Sequence, residues 1–373
     1  MSIKILPVTS KNDKKRFIKM MWKIYDGDPH WVPPLIFDRM KLIDEKKNPF
    51  YRHAEMKLFL AERDNEIVGR IGAIVNHNHN EVHNDKTGFF GFFECVNHQD
   101  VANALFDAAA NWLRSKGMET MRGPHNPSVN DELGLLIDGF DSSPVVLMTY
   151  NPRYYQILIE NYGFKKAKDL YAYLLQNKTT VSDKLNRIQQ AVRERDQITI
   201  RNIDLKNLKN EVKIIKDLYN QAWEPNWGAV AMTDAEFDFL AADMKQVIGS
   251  FPDFAMIALR KGVPVGFSLT LPDINQLLKK NKNGWLIPGA LRLLSGMKKI
   301  TLARIIVLGV IKEHQKRGID AVMYYEIWKR AMQYGIYRGE ASWVLEDNVM
   351  MNRAAALMSG ERYKTYRIFD CAI

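Results

Sequence analysis

Two β-hairpin patterns, one in each half of the chain, constrain its fold more than any other feature. KLFLAERDNEIVGRIGAIV (Lys57 to Val75) sets two apolar runs around an Asp-Asn turn, and FAMIALRKGVPVGFSLTL (Phe254 to Leu271) does the same around Lys261-Gly262. The elements downstream of the two hairpins come in the same order. After the first come GFFGFFECV from Gly88, a helical spacing at Val101, Leu105, Ala108, Trp112 and Leu113 stopped by Gly117, and a short strand. The helix NPRYYQILIENYGF closes this half, with Pro152 near its start and Gly163 at its end. After the second come ARIIVLGVI and a helix with Ala321, Tyr325, Trp328 and Met332 on one face and Gly335 at its stop. ASWVLE, a helix from Val349 to Met358 and the strand YKTYRIFD complete that half. This order predicts an α/β or α+β fold with a mixed sheet, built twice. The polar stretch QNKTTVSDK (Gln176 to Lys184) separates the halves, so domains are expected at residues 1–180 and 181–373.

At 373 residues the chain can bury a sizeable core in each half. Two cysteines, Cys95 and Cys371, are too few for a disulfide scaffold and point to a reducing compartment. The N-terminus lacks an apolar leader core, and no run approaches the ~18 apolar residues of a membrane span. A cytoplasmic protein is expected. The net charge of +10 suits nucleic acid, anionic lipid or a polyanionic cofactor. The charge is scattered and not interleaved with aromatics, which argues against nucleic acid.

The two central strands lead into different loops. ARIIVLGVIKEHQKRGIDAVM (Ala303 to Met323) ends a strand in a short basic loop before a helix that Gly318 opens. Unpaired amides at such a helix start form an anion cradle, to which Lys316 and Arg317 add charge. An ordinary strand–loop–helix joint explains the same residues. After the first central strand, Asn97, His98, Gln99 and Asp100 offer neither glycine nor a basic residue. His77, His79 and His83 have a metal-compatible spacing but lie in a polar hairpin end, and no metal is expected.

Gln315 and Gly318 resemble the Q/R-x-x-G-x-G/A phosphate-binding segment of the GNAT acyltransferase superfamily, with Asp320 where Gly or Ala is usual. The doubled order of elements resembles two tandem GNAT domains, the first degenerate in its phosphate-binding loop. More closely, YDGDPHWVPPL, KNPFYRH, GFFGFFE, GPHNPSVNDELGLLIDGFD, YNPRYY, PNWG, LPDINQ, QKRGID, LEDN and YKTYRIF resemble the bacterial ceramide synthase-like GNAT proteins, from Tyr25 to Asp370. The resemblance implies acyl transfer from a CoA thioester to an amine, in some members that of a sphingoid base. It puts the pantetheine arm on the main chain at Leu308 to Val310 and the pyrophosphate at Gln315, Lys316, Arg317 and Gly318.

Glu346, at the end of ASWVLE, is the candidate general base, although a helix-start charge accounts for it too. Asn348 matches an asparagine that meets the cofactor arm and is equally suited to capping. The helical tyrosine that many GNAT enzymes use as general acid has no counterpart, since Leu357, Met358 and Ser359 occupy that turn. Tyr363 or Tyr366 is the substitute, or packs on the sheet. Asn226 and Trp227 are placed to line a substrate pocket, or to pack. Asp273 and Asn275 could orient an amine or form a turn. Asn130 and Glu132 belong either to a substrate contact or to a structural loop. Finally, residues 279–299 set Leu286, Ile287, Leu291, Leu294 and Met297 on one face beside Trp285, with Lys279, Lys280, Lys282, Arg292, Lys298 and Lys299 around them. Peripheral contact with anionic membrane and a flap over the cleft both fit. A non-catalytic acyl-CoA or lipid-binding protein and a Fem-like aminoacyl transferase acting on a cell-wall precursor are the alternative functions.

Overall fold

β1 (Lys4–Pro7) leads into α1 (Lys11–Ile24), which Ser10 caps: its hydroxyl accepts the Asp13 amide and the Asp13 carboxylate accepts that of Ser10. The computed structural model describes residues 2–176, 181–223 and 227–373, apart from the side chains of Trp223, Asp243 and Gln246. After α2 (Ile36–Leu42), the first hairpin forms from β2 (Ala54–Arg63) and β3 (Glu66–Asn76). Its turn residues Asp64 and Asn65 both take positive φ, 54° and 62°, the turn geometry that matches strand twist. α3 (His77–His83), β4 (Thr87–Cys95), α4 (Gln99–Ser115) and β5 (Thr120–Gly123) come next. Two short strands, β6 (His125–Asn126) and β7 (Glu132–Leu133), pair with each other before β8 (Leu135–Asp138). α5 (Tyr155–Tyr162) stops at Gly163 (φ 117°), and β9 (Lys165–Gln176) completes the half.

The second half begins with α6 (Asp183–Asp196), capped by the Ser182 hydroxyl, then β10 (Ile198–Asn202), α7 (Leu208–Trp223) and α8 (Asp234–Ser250). The second hairpin, β11 (Ala255–Arg260) and β12 (Val263–Pro272), turns at Lys261 and Gly262, again both at positive φ. α9 (Asn275–Leu278), α10 (Leu286–Gly296), β13 (Leu302–Val310), α11 (Ile319–Gln333), β14 (Arg338–Leu345), α12 (Val349–Leu357) and β15 (Glu361–Ala372) complete the chain.

Two units emerge. The first holds Met1–Leu170, Leu278–Leu291 and Lys364–Ile373; the second holds Tyr171–Leu277 and Arg292–Tyr363. β9 thus starts in the first unit and ends in the second, and β15 does the reverse. The expected boundary at residue 180 falls on residues 177–180, outside the described residues.

In the first unit the sheet runs β1-β2-β3-β4-β5-β15, parallel only between β4 and β5. α4 and α5 bury Leu105, Phe106 and Ile159 against Ile71, Phe90 and Phe93. α1 packs Phe17 and Ile18 on the other face with Leu58, Ile74 and Phe92. At roughly 1.5–3 kcal/mol per buried large apolar side chain, these two layers supply most of that unit's drive to fold. In the second unit the order is β9-β14-β13-β12-β11-β10. α6 and α11 bury Val192, Val322 and Met323 against Ala258, Val265 and Val310.

Candidate active site

β13 and β14 run parallel from Leu302 opposite Arg338 to Ile305 opposite Ala341, and their pairing ends there. Its cause is visible on the other edge of β13. Leu269 of β12 faces Val307 while Thr270 faces Ile305, so Ile306 is a bulge. A bulge bends and twists the strand that carries it. Beyond it, Val307–Val310 stay bonded to β12 on one edge, and no strand among the described residues pairs the other. Alternate N–H and C=O groups at Leu308 to Val310 therefore point away from any strand partner.

The loop after β13 carries a second set of donors. Lys316 and Gly318 take positive φ (60° and 85°), and alternating handedness of this kind turns successive amides inward as an anion-binding nest. The amides of Lys316, Arg317, Gly318 and Ile319 have no acceptor among the described residues. The loop side chains behave differently from one another. Gln315 donates to the Val310 carbonyl (3.1 Å), Lys316 is exposed, and Arg317 donates to Asp196 (2.7 Å). Asp196 also takes Arg195 (2.7 Å) and Arg260 (3.4 Å), and hydrogen bonds from Arg195 first, then Arg317, hold its carboxyl below the usual range. Asp320 sits in the first turn of α11. Burial pushes its carboxyl up, against hydrogen bonds from the amides of Ala321 and of Asp320 itself.

At the root of the split lies a buried polar group absent from the sequence candidates. Arg304 and Glu340, Cα partners across β13 and β14, are 2 % and 0 % exposed. Arg304 Nε lies 3.8 Å from Glu340 Oε1 and donates to Ser342 Oγ (2.9 Å); Ser342 Oγ in turn donates to Glu340 (2.6 Å). The Arg304 guanidinium also covers the Trp343 ring at 4.8 Å. Tyr363 donates its hydroxyl to the other Glu340 oxygen. A signal was available: an arginine within LARIIVLGV and a glutamate within RGEASWVL are opposite charges inside apolar strands, and buried charges come paired.

The other candidate residues divide between the two units. Glu346 is half-buried in the turn after β14, and Asn348 caps α12 by accepting the Met351 amide (3.1 Å). Asn352, also outside the sequence candidates, donates to the carbonyls of Leu345 (3.1 Å) and Asn348 (2.9 Å) and accepts the Tyr173 hydroxyl (2.7 Å), fixing that turn. Trp227 is half-buried beside Gly228, and Asn226 lies outside the described residues. Asp273 is buried; its amide bonds the Leu302 carbonyl (2.8 Å) and its carboxylate accepts the Asn275 amide (3.2 Å), which makes a turn. Asn130 and Glu132 belong to the first unit. The Asn130 amide bonds Ser128 Oγ (3.2 Å), and Glu132 holds Arg39 through both oxygens (2.9 and 2.5 Å). In α3 the ring of the buried His79 lies tilted against that of His83, 4.4 Å away, and burial lowers the His79 pKa to about 4. Among the described residues no group of three His, Cys, Asp or Glu side chains is arranged to hold a metal.

The first unit has the same split with a different outcome. β4 and β5 pair only as far as Phe89 opposite Arg122. The edge that then opens is filled by the unit's own chain: Asn126 Oδ1 accepts the Phe92 amide (2.6 Å), Tyr155 accepts the Cys95 amide (2.9 Å) and Tyr154 donates to the Cys95 carbonyl (2.8 Å).

Known structures share this fold. The tandem GNAT protein from the clavulanic acid biosynthesis pathway superposes with a TM-score of 0.59 at 10 % identity, over 100 % of this chain and 98 % of that one. The GCN5-related N-acetyltransferase of Sphaerobacter thermophilus gives 0.53 at 11 % identity, over 99 % and 95 %. The protein thus has the tandem GNAT fold. No protein-family profile matches it. In sequence it is 34 % identical over 384 residues to the bacterial ceramide synthase of Caulobacter vibrioides (strain NA1000 / CB15N), spanning 100 % of this chain and 98 % of that protein. It is 33 % identical over 369 residues to protein YghO of Escherichia coli (strain K12), over 97 % and 93 %. The chain belongs to the bacterial ceramide synthase family and is a GNAT-type N-acyltransferase.

Proposed function

We propose that the second unit transfers an acyl group from a CoA thioester to the amine of a long-chain, sphingoid-type lipid. One observation carries this reading: the open edge of β13 and the unbonded amides of Lys316 to Ile319 adjoin in a single unit of a ceramide synthase relative. The nest would hold the diphosphate, with Lys316 adding charge, while Gln315 and Arg317 brace the loop. The pantetheine arm would lie along Leu308 to Val310. Main-chain N–H groups there would donate to the thioester oxygen as it gains charge.

The neutral amine attacks the thioester carbon, the C–S bond breaks, and the amine's surplus proton must leave as the thiolate gains one. We assign proton removal to Glu346 and delivery to the thiolate to Tyr363, whose hydroxyl is anchored on Glu340. Asn348 would meet the cofactor arm. Trp227, Asp273 and Asn275 remain acceptor-side proposals in the second unit, with Asn226 beside Trp227 in sequence. Asn130 and Glu132 remain such proposals in the first unit. Calorimetric titration with palmitoyl-CoA, and CoA release with and without sphinganine, test the reading. Binding plus amine-dependent release is expected, with Glu346→Gln slower by about a hundredfold in kcat. Failure to bind any CoA thioester sinks the transferase reading, and full turnover in Glu346→Gln rejects that base.

Asp320 gives a second expected outcome. Its carboxylate would repel the diphosphate, so Asp320→Asn should bind CoA about fivefold more tightly at neutral pH. Its raised pKa sets the sign. The folded protein prefers the neutral carboxyl, so this group's contribution to stability is complete below its unfolded pKa and is lost as pH rises through the folded one. Repulsion fades as pH falls through that raised value, and the two proteins' affinities should converge there. An unchanging gap across that window rejects the placement of the diphosphate.

A further inference from the structure

α10 turns its apolar side outward. Trp285, Leu286, Ile287, Leu291 and Leu294 are 61 %, 43 %, 73 %, 61 % and 69 % exposed. Ile287, Leu291 and Leu294 stand at the i, i+4, i+7 spacing of one helix face. The segment that leads into this helix is firmly held within the first unit. Trp22 Nε1 donates to the Lys282 carbonyl (2.6 Å), the Ile36 amide bonds the Gly284 carbonyl (2.9 Å), and Lys279 bonds Ser143 (2.8 Å). At Gly284, φ is 63° and a Cβ would stand 2.5 Å from the Pro34 carbonyl, so only glycine fits the joint. Phe37, one residue past the Ile36–Gly284 bond, adds a ring that is 55 % exposed.

An exposed apolar stripe of this kind marks something that covers it. The charges around it say what. Lys280, Lys282, Arg292, Lys298 and Lys299 are all exposed, and residues 279–299 contain no Asp or Glu. Apolar side chains, an edge tryptophan and an unbroken basic rim match a surface that offers acyl chains beneath anionic headgroups. We propose that α10 docks the protein onto the surface of an anionic lipid bilayer. No helix among the described residues is long and apolar enough to cross a membrane. Docking is therefore peripheral through this element. The proposal extends beyond the transfer chemistry and does not rest on it.

Co-sedimentation of the full chain with vesicles tests this, without CoA or amine, so the result is independent of the transferase reading. Equimolar phosphatidylcholine–phosphatidylglycerol vesicles should bind at least about tenfold better than phosphatidylcholine alone, with the difference shrinking in high salt. Leu291→Ser with Leu294→Ser should lose about tenfold of the binding to mixed vesicles at an unchanged melting temperature, because both side chains are exposed. Lys298→Glu with Lys299→Glu should remove preference for the anionic mixture. No binding to mixed vesicles, or equal binding by the double serine variant, overturns the proposal. So does a dimer in light scattering that the serine variant dissolves, since the stripe would then be an interface between copies.

Discussion

Arg304→Ala should lower the melting temperature of the second unit by about 6–20 °C, from a loss of about 3–5 kcal/mol. The size reflects the groups that the substitution leaves behind. Glu340 is fully buried, and Arg304 is the cation beside it. Two hydroxyls, from Ser342 and Tyr363, would remain as its donors, in a site that excludes water. Those donors cannot replace the lost counter-charge, and the vacated guanidinium leaves a cavity against Trp343. Removing both charges tests the cause. Arg304→Met with Glu340→Gln keeps a side chain that can bond both hydroxyls, and should regain more than half of the loss. Tyr363→Phe removes only one bond to a charged group, about 1.5–3 kcal/mol at most, so its effect on turnover can be read apart from folding. If Arg304→Ala moves the midpoint by less than about 2 °C, the pair is not a buried charge in need of compensation.

How far the sequence reaches is clear from which features are local. Asp64-Asn65 and Gly262 announce their hairpins because few residue types accept positive φ readily, and Gly163 ends α5 for the same reason. The Gly318 helix start and the loop before it are equally local. The fate of the loop's side chains is not. Arg317 is basic and in the right place for an anion, yet it is drawn to Asp196, which collects its neighbour Arg195 and, from farther along the chain, Arg260 and Arg317. Arg304 and Glu340 meet only through the register of two strands, which no spacing in the sequence encodes. The same holds for Leu278–Leu291, whose place in the first unit rests on bonds from Trp22 and Ile36. The bulge at Ile306, which opens the site, carries no glycine or proline to betray it. The loop that leads into α11 was legible in the sequence; the split beside it was not.

The filled split of the first unit leads to the other large effect. Gly91→Ala should destabilise that unit by about 3–5 kcal/mol, at the upper end for a single added methyl. A Cβ at Gly91 would stand 1.6 Å from the His125 carbonyl oxygen and 3.0 Å from Asn126 Oδ1. Backbone cannot swing aside as the tip of a side chain can. Relief would require β6 to withdraw, and with it Asn126, the acceptor of the Phe92 amide. Asn126→Ala separates the two costs, since it loses the bond without forcing the strand away and should cost only about 1–3 kcal/mol. Thermal unfolding of both variants, together with the protection of the β4 amides from hydrogen exchange, makes the comparison. Exchange should rise across β4 in Gly91→Ala and mainly near Phe92 in Asn126→Ala. A Gly91→Ala protein with unaltered stability and protection would show that β6 does not occupy the opening. The edge of β4 beyond Phe89 would then be as open as that of β13 beyond Ile305.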